Sequence, residues 1–206
     1  MEHETEQSTR SVILTSIKTH GERSVADLAE ELGVTEMAVR RHMHVMERDG
    51  LVQPRLVRRP MGRPMNVYSL TAAADELFPK KYQHLALDLL EELDEEDVSR
   101  LFEKRQSKLY QRYEERMRGK SLPERVKELA DIQNAGGYMV RLQETAPGQY
   151  ELCEHNCPIA QVAGPYQQAC ACELDLFRQL LQAEVDRTEC LAKGGSKCVY
   201  RIQASC

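Results

Sequence analysis

Ser24-Val-Ala-Asp-Leu-Ala-Glu-Glu-Leu-Gly33-Val-Thr35 is the stretch that decides the first part of the fold. Ser24 has the side chain of a helix N-cap, and Val25, Leu28, Ala29 and Leu32 then fall on one helical face. Gly33 stops that helix, and Thr35 caps a third one with Glu36 in its first turn, running through Val39, Met43 and Met46 to Gly50. Upstream, Ile13, Leu14 and Ile17 recur at helical spacing over residues 10–19, and Gly21 ends the run. Residues 1–9 read as a frayed tail. Three short helices, the last two joined by a tight glycine turn, form a helix-turn-helix pattern.

The residues that follow read as a wing. Leu51-Val-Gln-Pro54 leads into Arg55-Leu-Val-Arg-Arg-Pro60, a Met-Gly62-Arg63-Pro64 turn, and Asn66-Val-Tyr-Ser-Leu-Thr71, which together predict a β-hairpin. Residues 36–70 hold seven arginines against three acids (Glu36, Glu47, Asp49), a local charge of +4 in a chain whose net charge is −5. Double-stranded DNA is therefore the expected partner of this part of the chain, met by a local patch. Thr35, Glu36, Met37, Arg40, Arg41 and His44 lie on or near the outward face of the third helix, which would enter the major groove. Arg58, Arg59 and Arg63 on the wing would reach phosphates or the minor groove. Small tri-helical domains also bind proteins, and many arginines are merely solvated; helix, turn, helix and basic wing in order favour DNA.

The composition is that of an ordinary folded chain: 206 residues, 41% apolar and 30% charged. No apolar run approaches the ~20 residues of a membrane span, and the polar, acidic Met1-Glu-His-Glu-Thr-Glu lacks the apolar core of a signal peptide. The expected location is cytoplasmic, without membrane contact. There is no Gly-rich nucleotide loop, no convincing nucleophile–base set and no Cys-x-x-Cys pair, so no enzyme is expected.

All seven cysteines lie at or after position 153. Packing cysteines would be scattered through every core, and an odd number cannot pair completely; in a reducing compartment such a cluster points to metal or redox chemistry. Cys153 and Cys157 are separated by three residues, Cys157 and Cys170 by twelve, and Cys170 and Cys198 by twenty-seven. Four such thiolates suit a tetrahedral zinc or a cubane iron–sulfur cluster. Cys190 is the alternative fourth ligand to Cys153. Cys172 is expected to face away from Cys170 on a helix, and Cys206 is terminal. Pro158 would fix the turn after Cys157, His155 and Asn156 would support the ligands, and Gly194 and Gly195 would let backbone amides approach a sulfur.

The fold class expected is α+β, in three parts. Residues 1–75 form the winged helix-turn-helix and residues 76–120 a helical linker and dimerisation segment. Residues 121–206 form a cysteine-rich α+β sensor. The segment after Thr71 stays helical to Phe78 and breaks at Pro79. A helix over about 95–118 turns Leu101, Phe102, Leu109, Tyr113 and Met117 inward. Pro123 starts another helix, followed by a hairpin over 138–152, helices at 159–162 and 168–183, and strands at 185–192 and 197–202.

His155-Asn-Cys-Pro-Ile159, Cys170-x-x-Glu173, Glu189-Cys190-Leu and Gly195-x-x-Cys198-x-Tyr-Arg-Ile202 resemble the SufR-type repressors of iron–sulfur cluster assembly. The winged part, with Gly62-Arg-Pro64, looks like that of DeoR/ArsR-type regulators. The resemblance spans about residues 9–202. It implies a homodimer with one oxygen-sensitive cluster per protomer, 4Fe–4S in preference to 2Fe–2S, occupying the palindromic operator of cluster-assembly genes while loaded. Cys157, Cys170 and Cys198 match the motif cysteines, Cys153 does so less closely, and Cys172 and Cys206 depart from the pattern. A regulator of the same architecture sensing zinc or thiol oxidation is the alternative.

Overall fold

Ser24 and Asp27 exchange hydrogen bonds as a capping box: the Asp27 amide donates to Ser24 Oγ at 3.2 Å, and the Ser24 amide to Asp27 Oδ2 at 2.9 Å. Two otherwise orphaned amides are satisfied at once, which fixes where the helix starts. This local device recurs along the chain in a computed structural model that describes residues 2–58 and 64–204, without the side chains of residues 2–8.

The first unit, Met1–Lys80, carries α1 (Glu2–His20), β1 (Arg23–Ser24), α2 (Val25–Leu32), α3 (Glu36–Arg48), β2 (Val52–Val57), β3 (Met65–Leu70) and α4 (Ala72–Asp75). Its three strands are antiparallel in the order β1-β3-β2. The turn between α2 and α3 hinges on Gly33 at φ 65°, the left-handed region a Cβ disfavours. Ile13, Ile17, Leu28, Val39, Met43 and Met46 form one core. α1 begins at Glu2, not near residue 10 as the frayed-tail reading held; its first turns are rich in helix-favouring Glu and Gln. The expected helix 72–78 is only the four-residue α4, capped by Thr71.

The second unit, Lys81–Cys206, holds α5 (Tyr82–Glu91), α6 (Glu95–Met117), α7 (Leu122–Ala135), β4 (Val140–Ala146), β5 (Gln149–Glu154), α8 (Ala160–Ala163), α9 (Gln168–Leu181), β6 (Glu184–Glu189), a 3-10 turn at Leu191–Lys193 and β7 (Cys198–Gln203). Its sheet is antiparallel throughout, in the order β4-β5-β7-β6. The helices bury one sheet face: Leu152, Tyr200, Ile202 and Val185 pack with Phe177, Leu180 and Leu129, each large side chain contributing roughly 1.5–3 kcal/mol. Phe177 and Tyr200 stack as tilted rings 4.8 Å apart.

The chain thus divides at residues 80 and 81, and residues 81–120, expected in a separate linker, belong to the unit that carries the cysteines. The cause is α6, whose Val98, Phe102 and Met117 are buried in the core that α9 and the sheet share. Leu101, expected inward, is 47% exposed; Phe102 and Met117 are buried as expected with Leu109 and Tyr113 packed against the core, and Val98, one turn before Phe102, joins the buried face. Among the described residues, no helix is long and apolar enough to cross a membrane.

Candidate cysteine centre and nucleic-acid face

The face of α3 divides as its sequence predicts. Val39, His42, Met43 and Met46 are buried, while Thr35, Glu36, Met37, Arg40, Arg41 and His44 are exposed, Met37 at 75%. Thr35 Oγ1 accepts the Ala38 amide at 3.3 Å and so sets the start of this exposed face. Arg40 is held to Glu36 at 2.9 Å, one turn back. Arg48 pairs with Asp49 at 3.4 Å, and Arg55 grips Glu22 with two guanidinium nitrogens, one at 2.9 Å. Part of the arginine excess counted in the sequence is therefore neutralised locally. The Arg55–Glu22 pair was not visible in the sequence, because its partners lie 33 residues apart. Arg58 is exposed at the end of β2. Arg59, Gly62 and Arg63 lie outside the described residues, as does Cys206.

In the second unit the sheet register sorts the cysteines. Glu154 is paired across β5 and β7 with Cys198, and Cys153 with Val199. Cross-strand partners share a face and neighbours along a strand alternate. Cys198, Glu154 and Tyr200 therefore point toward the helices, and Cys153 points to the opposite face. There its Sγ lies 3.6 Å from a Glu151 carboxylate oxygen and 3.9 Å from Lys197 Nζ. Cys153, preferred from sequence as the fourth ligand, is separated from the other three by the sheet itself.

Cys190 lies nearer to the other three. Cys170 is within hydrogen-bonding reach of Cys190, and Cys157 and Cys198 are both close enough for its charge to act on them. Cys190 was expected inside a strand of 185–192. Instead, β6 ends at Glu189 after a register shift, and Cys190 precedes the 3-10 turn. The Glu189 carboxylate explains the early stop: it accepts the Ser196 amide at 2.7 Å and the Lys197 amide at 3.3 Å, pinning the loop back. Gly195 sits where a Cβ would lie 2.8 Å from the Cys190 carbonyl oxygen, so this close approach requires glycine.

Four segments deliver the four thiols. Cys157 follows β5 in a loop that Asn156 ties down, its Nδ2 donating to the Gly137 carbonyl at 2.7 Å. Cys170 is in the first turn of α9, Cys190 precedes the 3-10 turn, and Cys198 opens β7. Gln167 Nε2 donates to the carbonyls of Gly164 (3.0 Å) and Ala192 (3.3 Å), clasping the start of α9 to the turn after Cys190. Cys172, two residues from Cys170 on the helix, faces Glu103 and Arg105 of α6. Two sulfurs already accept backbone amides: Cys198 from Leu191 at 3.4 Å, and Cys157 from Ile159. Neither amide is that of Gly194 or Gly195, which shape the loop instead. His155 gives its backbone amide to Met139.

The electrostatics favour neutral thiols until a cation arrives. Burial, then the neighbouring Cys190, pushes Cys170 up to about 12; burial also pushes Cys198 to about 12 against the Leu191 amide. Cys157 is raised by the same cause. Glu154, 1% exposed, has one partner in Gln133 Nε2 at 2.8 Å. Burial, then the Glu173 charge, lifts its carboxyl to about 8, so it is protonated at neutral pH. Glu173 is raised by burial too, although Tyr200 Oη donates to it at 2.9 Å. The cation at this end of the sheet is Arg187, which donates to the Cys170 carbonyl at 2.8 Å. Neutral thiols of this kind would take a metal only by exchanging their protons for it.

Residues 5–55 match the family model described as a helix-turn-helix domain. No curated protein matches the chain. Among solved structures, trafficking protein particle complex subunit 3 from Naegleria fowleri, covalently bound to palmitic acid, is 12% identical over 60% of this chain and 90% of that one, with a TM-score of 0.37. Lactococcus lactis ZitR, a mutant in apo form, is 20% identical over 54% and 86%, with a TM-score of 0.31. Bacillus subtilis PadR in complex with operator DNA is 14% identical over 84% and 93%, with a TM-score of 0.30. Scores this low establish no common fold over those lengths.

Proposed function

We propose that this chain is a DNA-binding transcription regulator, a repressor of iron–sulfur cluster assembly genes, whose grip on a palindromic operator is controlled by an iron–sulfur cluster. The observation that supports the reading is that Cys157, Cys170 and Cys198, from three separate segments, each lie near enough to Cys190 for its charge to act on them, in a chain that also carries a helix-turn-helix domain. These four would hold the cluster, 4Fe–4S before 2Fe–2S, one per protomer. Among the described residues, no three His, Cys, Asp or Glu side chains lie in metal-ligating geometry; zinc or thiol-oxidation sensing through the same cysteines is the alternative reading. Bound there, the cluster supplies an oxygen- and iron-sensitive cross-link. The Ile159 and Leu191 amides and the Arg187 guanidinium lie where they would offset the negative charge of four thiolates. Loss of the cross-link frees a loop, a helix end, a turn and a strand end together, and so loosens the unit.

The homodimer needed for a palindromic site has a candidate seam on α5. Tyr82, Leu85 and Leu89 share one face and are each more than half exposed.

The test is purification without air, with a visible spectrum, iron and sulfide assays, and selection of bound duplexes from a random-sequence DNA library. Broad sulfide-to-iron bands with matching iron and sulfide, and selected duplexes held tightly only by the loaded protein, are the expected result. A colourless protein that refuses cluster reconstitution, or equal DNA affinity of loaded and cluster-free forms, overturns the reading.

A further inference from the structure

A cleft of about 240 Å³ opens within the second unit between α6, α7 and α9. Its inner wall is apolar: Leu109 of α6, Leu129 of α7, and Leu176 and Leu180 of α9 line it beside the rings of Tyr113, Tyr138 and Phe177. Its mouth carries two guanidiniums, Arg105 and Arg112, both exposed. They are seven residues apart on α6, two turns or about 10 Å along the axis, and so share a face. Leu109 lies between them. Neither arginine forms an ion pair among the described residues, whereas Arg100 and Arg116 of the same helix both do. The one acid lining the cleft is Glu173, whose carboxyl is already engaged by Tyr200. Arg105 lies near enough to Glu173 for its charge to act there, but the Glu173 carboxyl is buried and bonded to Tyr200, and among the described residues neither guanidinium is ion-paired at the mouth.

An apolar wall under a paired cationic rim is complementary to an amphipathic anion. Its size, below the roughly 300–1,000 Å³ of drug-sized sites, selects a small one. We propose that this cleft binds a small aliphatic monocarboxylate, its carboxylate held by Arg105 and Arg112 and its hydrocarbon chain laid against the four leucines. Guanidinium forks suit a carboxylate, and the buried chain supplies the remaining affinity by leaving water. The ligand would rest on the turn of α9 that carries Cys172 and Glu173, one turn beyond Cys170. Occupancy would therefore stabilise the element that presents a centre thiol, with or without a metal there.

Calorimetric titration of the full-length protein with octanoate, octanol and octylamine tests this. Octanoate should bind saturably at one site per chain, tighter than octanol, with octylamine weakest. Replacing both arginines (Arg105→Gln with Arg112→Gln) should weaken octanoate at least roughly tenfold, the loss of a charge-assisted hydrogen bond, and leave octanol unchanged. These exposed substitutions should leave the thermal melting curve in place. Leu109→Trp, filling the cleft from its half-buried position, should abolish binding of both. The proposal is overturned by octanoate failing to saturate at millimolar concentration, by octanol binding equally well, by unchanged affinity in the arginine variant, or by benzoate outcompeting octanoate. Since none of these readouts involves iron or DNA, their failure leaves the cluster reading untouched, and the reverse also holds.

Discussion

At Cys153 and Cys190 the sequence and the structure part company, and the reason is geometric. Spacing along the chain favours Cys153, three residues from Cys157, because it ignores which way a strand side chain points. The pairing of Cys153 with Val199, and of Glu154 with Cys198, turns Cys153 away from the helices. A one-residue change of register would invert this, and nothing local in the sequence fixes the register. The motif residues Glu189-Cys190-Leu held the better signal, but the alternating stretch around them read as strand. Iron loading separates the two cysteines. Cys190→Ala should reduce bound iron and sulfide to background, as should Cys157→Ala, Cys170→Ala and Cys198→Ala. Cys153→Ala should load like the unaltered protein. Loss of iron in Cys153→Ala, with its fold intact by circular dichroism, would return that residue to the ligand set.

Elements were most legible where caps and periodicity agreed. α2, α3 and α7 begin and end within a residue or two of their sequence readings, because Ser24, Thr35 and Ser121 with Glu124 supply caps next to apolar faces. The exposure of Leu101 on α6 and the early end of β6 were not legible, since distant partners set both: the α9 face for one, and the Ser196–Lys197 amides for the other. The corner between α6 and α7 is another such device. Glu128 of α7 accepts Arg116 Nε at 2.6 Å and also binds Lys120, joining the end of one helix to the body of the next. The Lys120 hydrogen bond, with Arg116, holds the Glu128 carboxyl below its usual 4.5. A depressed carboxylate contributes stability above its unfolded value that is lost as pH falls through the folded one. At pH 7, Glu128→Gln should therefore destabilise the protein by about 1 kcal/mol, the scale of a well-formed surface pair. The gap between variant and unaltered protein should close as melting is followed from pH 5 down to 3. A gap that stays constant over that range would show that packing, not charge, holds the corner.

For the whole molecule, the order of elements along the chain was legible in the sequence, and the structure divides them into two compact units. The helix-turn-helix unit ends at Lys80, and the cysteines share one core with α6, so a change at the centre can reach every helix of the second unit through packed side chains. α5 opens that unit and leaves Tyr82, Leu85 and Leu89 each more than half exposed. In the proposed homodimer a second copy would cover them, because a two-fold axis sets the stripe against itself. Two recognition helices would be needed to read the proposed palindrome, each subunit bringing its own arginines to the phosphates. Leu85→Glu with Leu89→Glu should yield a monomer by sedimentation equilibrium while leaving the melting curve nearly unchanged, as both side chains are exposed. On a duplex with two half-sites, the variant should bind far more weakly, and the slope of log affinity against log salt should fall to about half, since one subunit's phosphate contacts are gone. On a single half-site the two proteins should be equal. A variant that remains dimeric would move the seam away from α5, and a monomer with the full salt slope would show that one subunit carries the whole DNA contact.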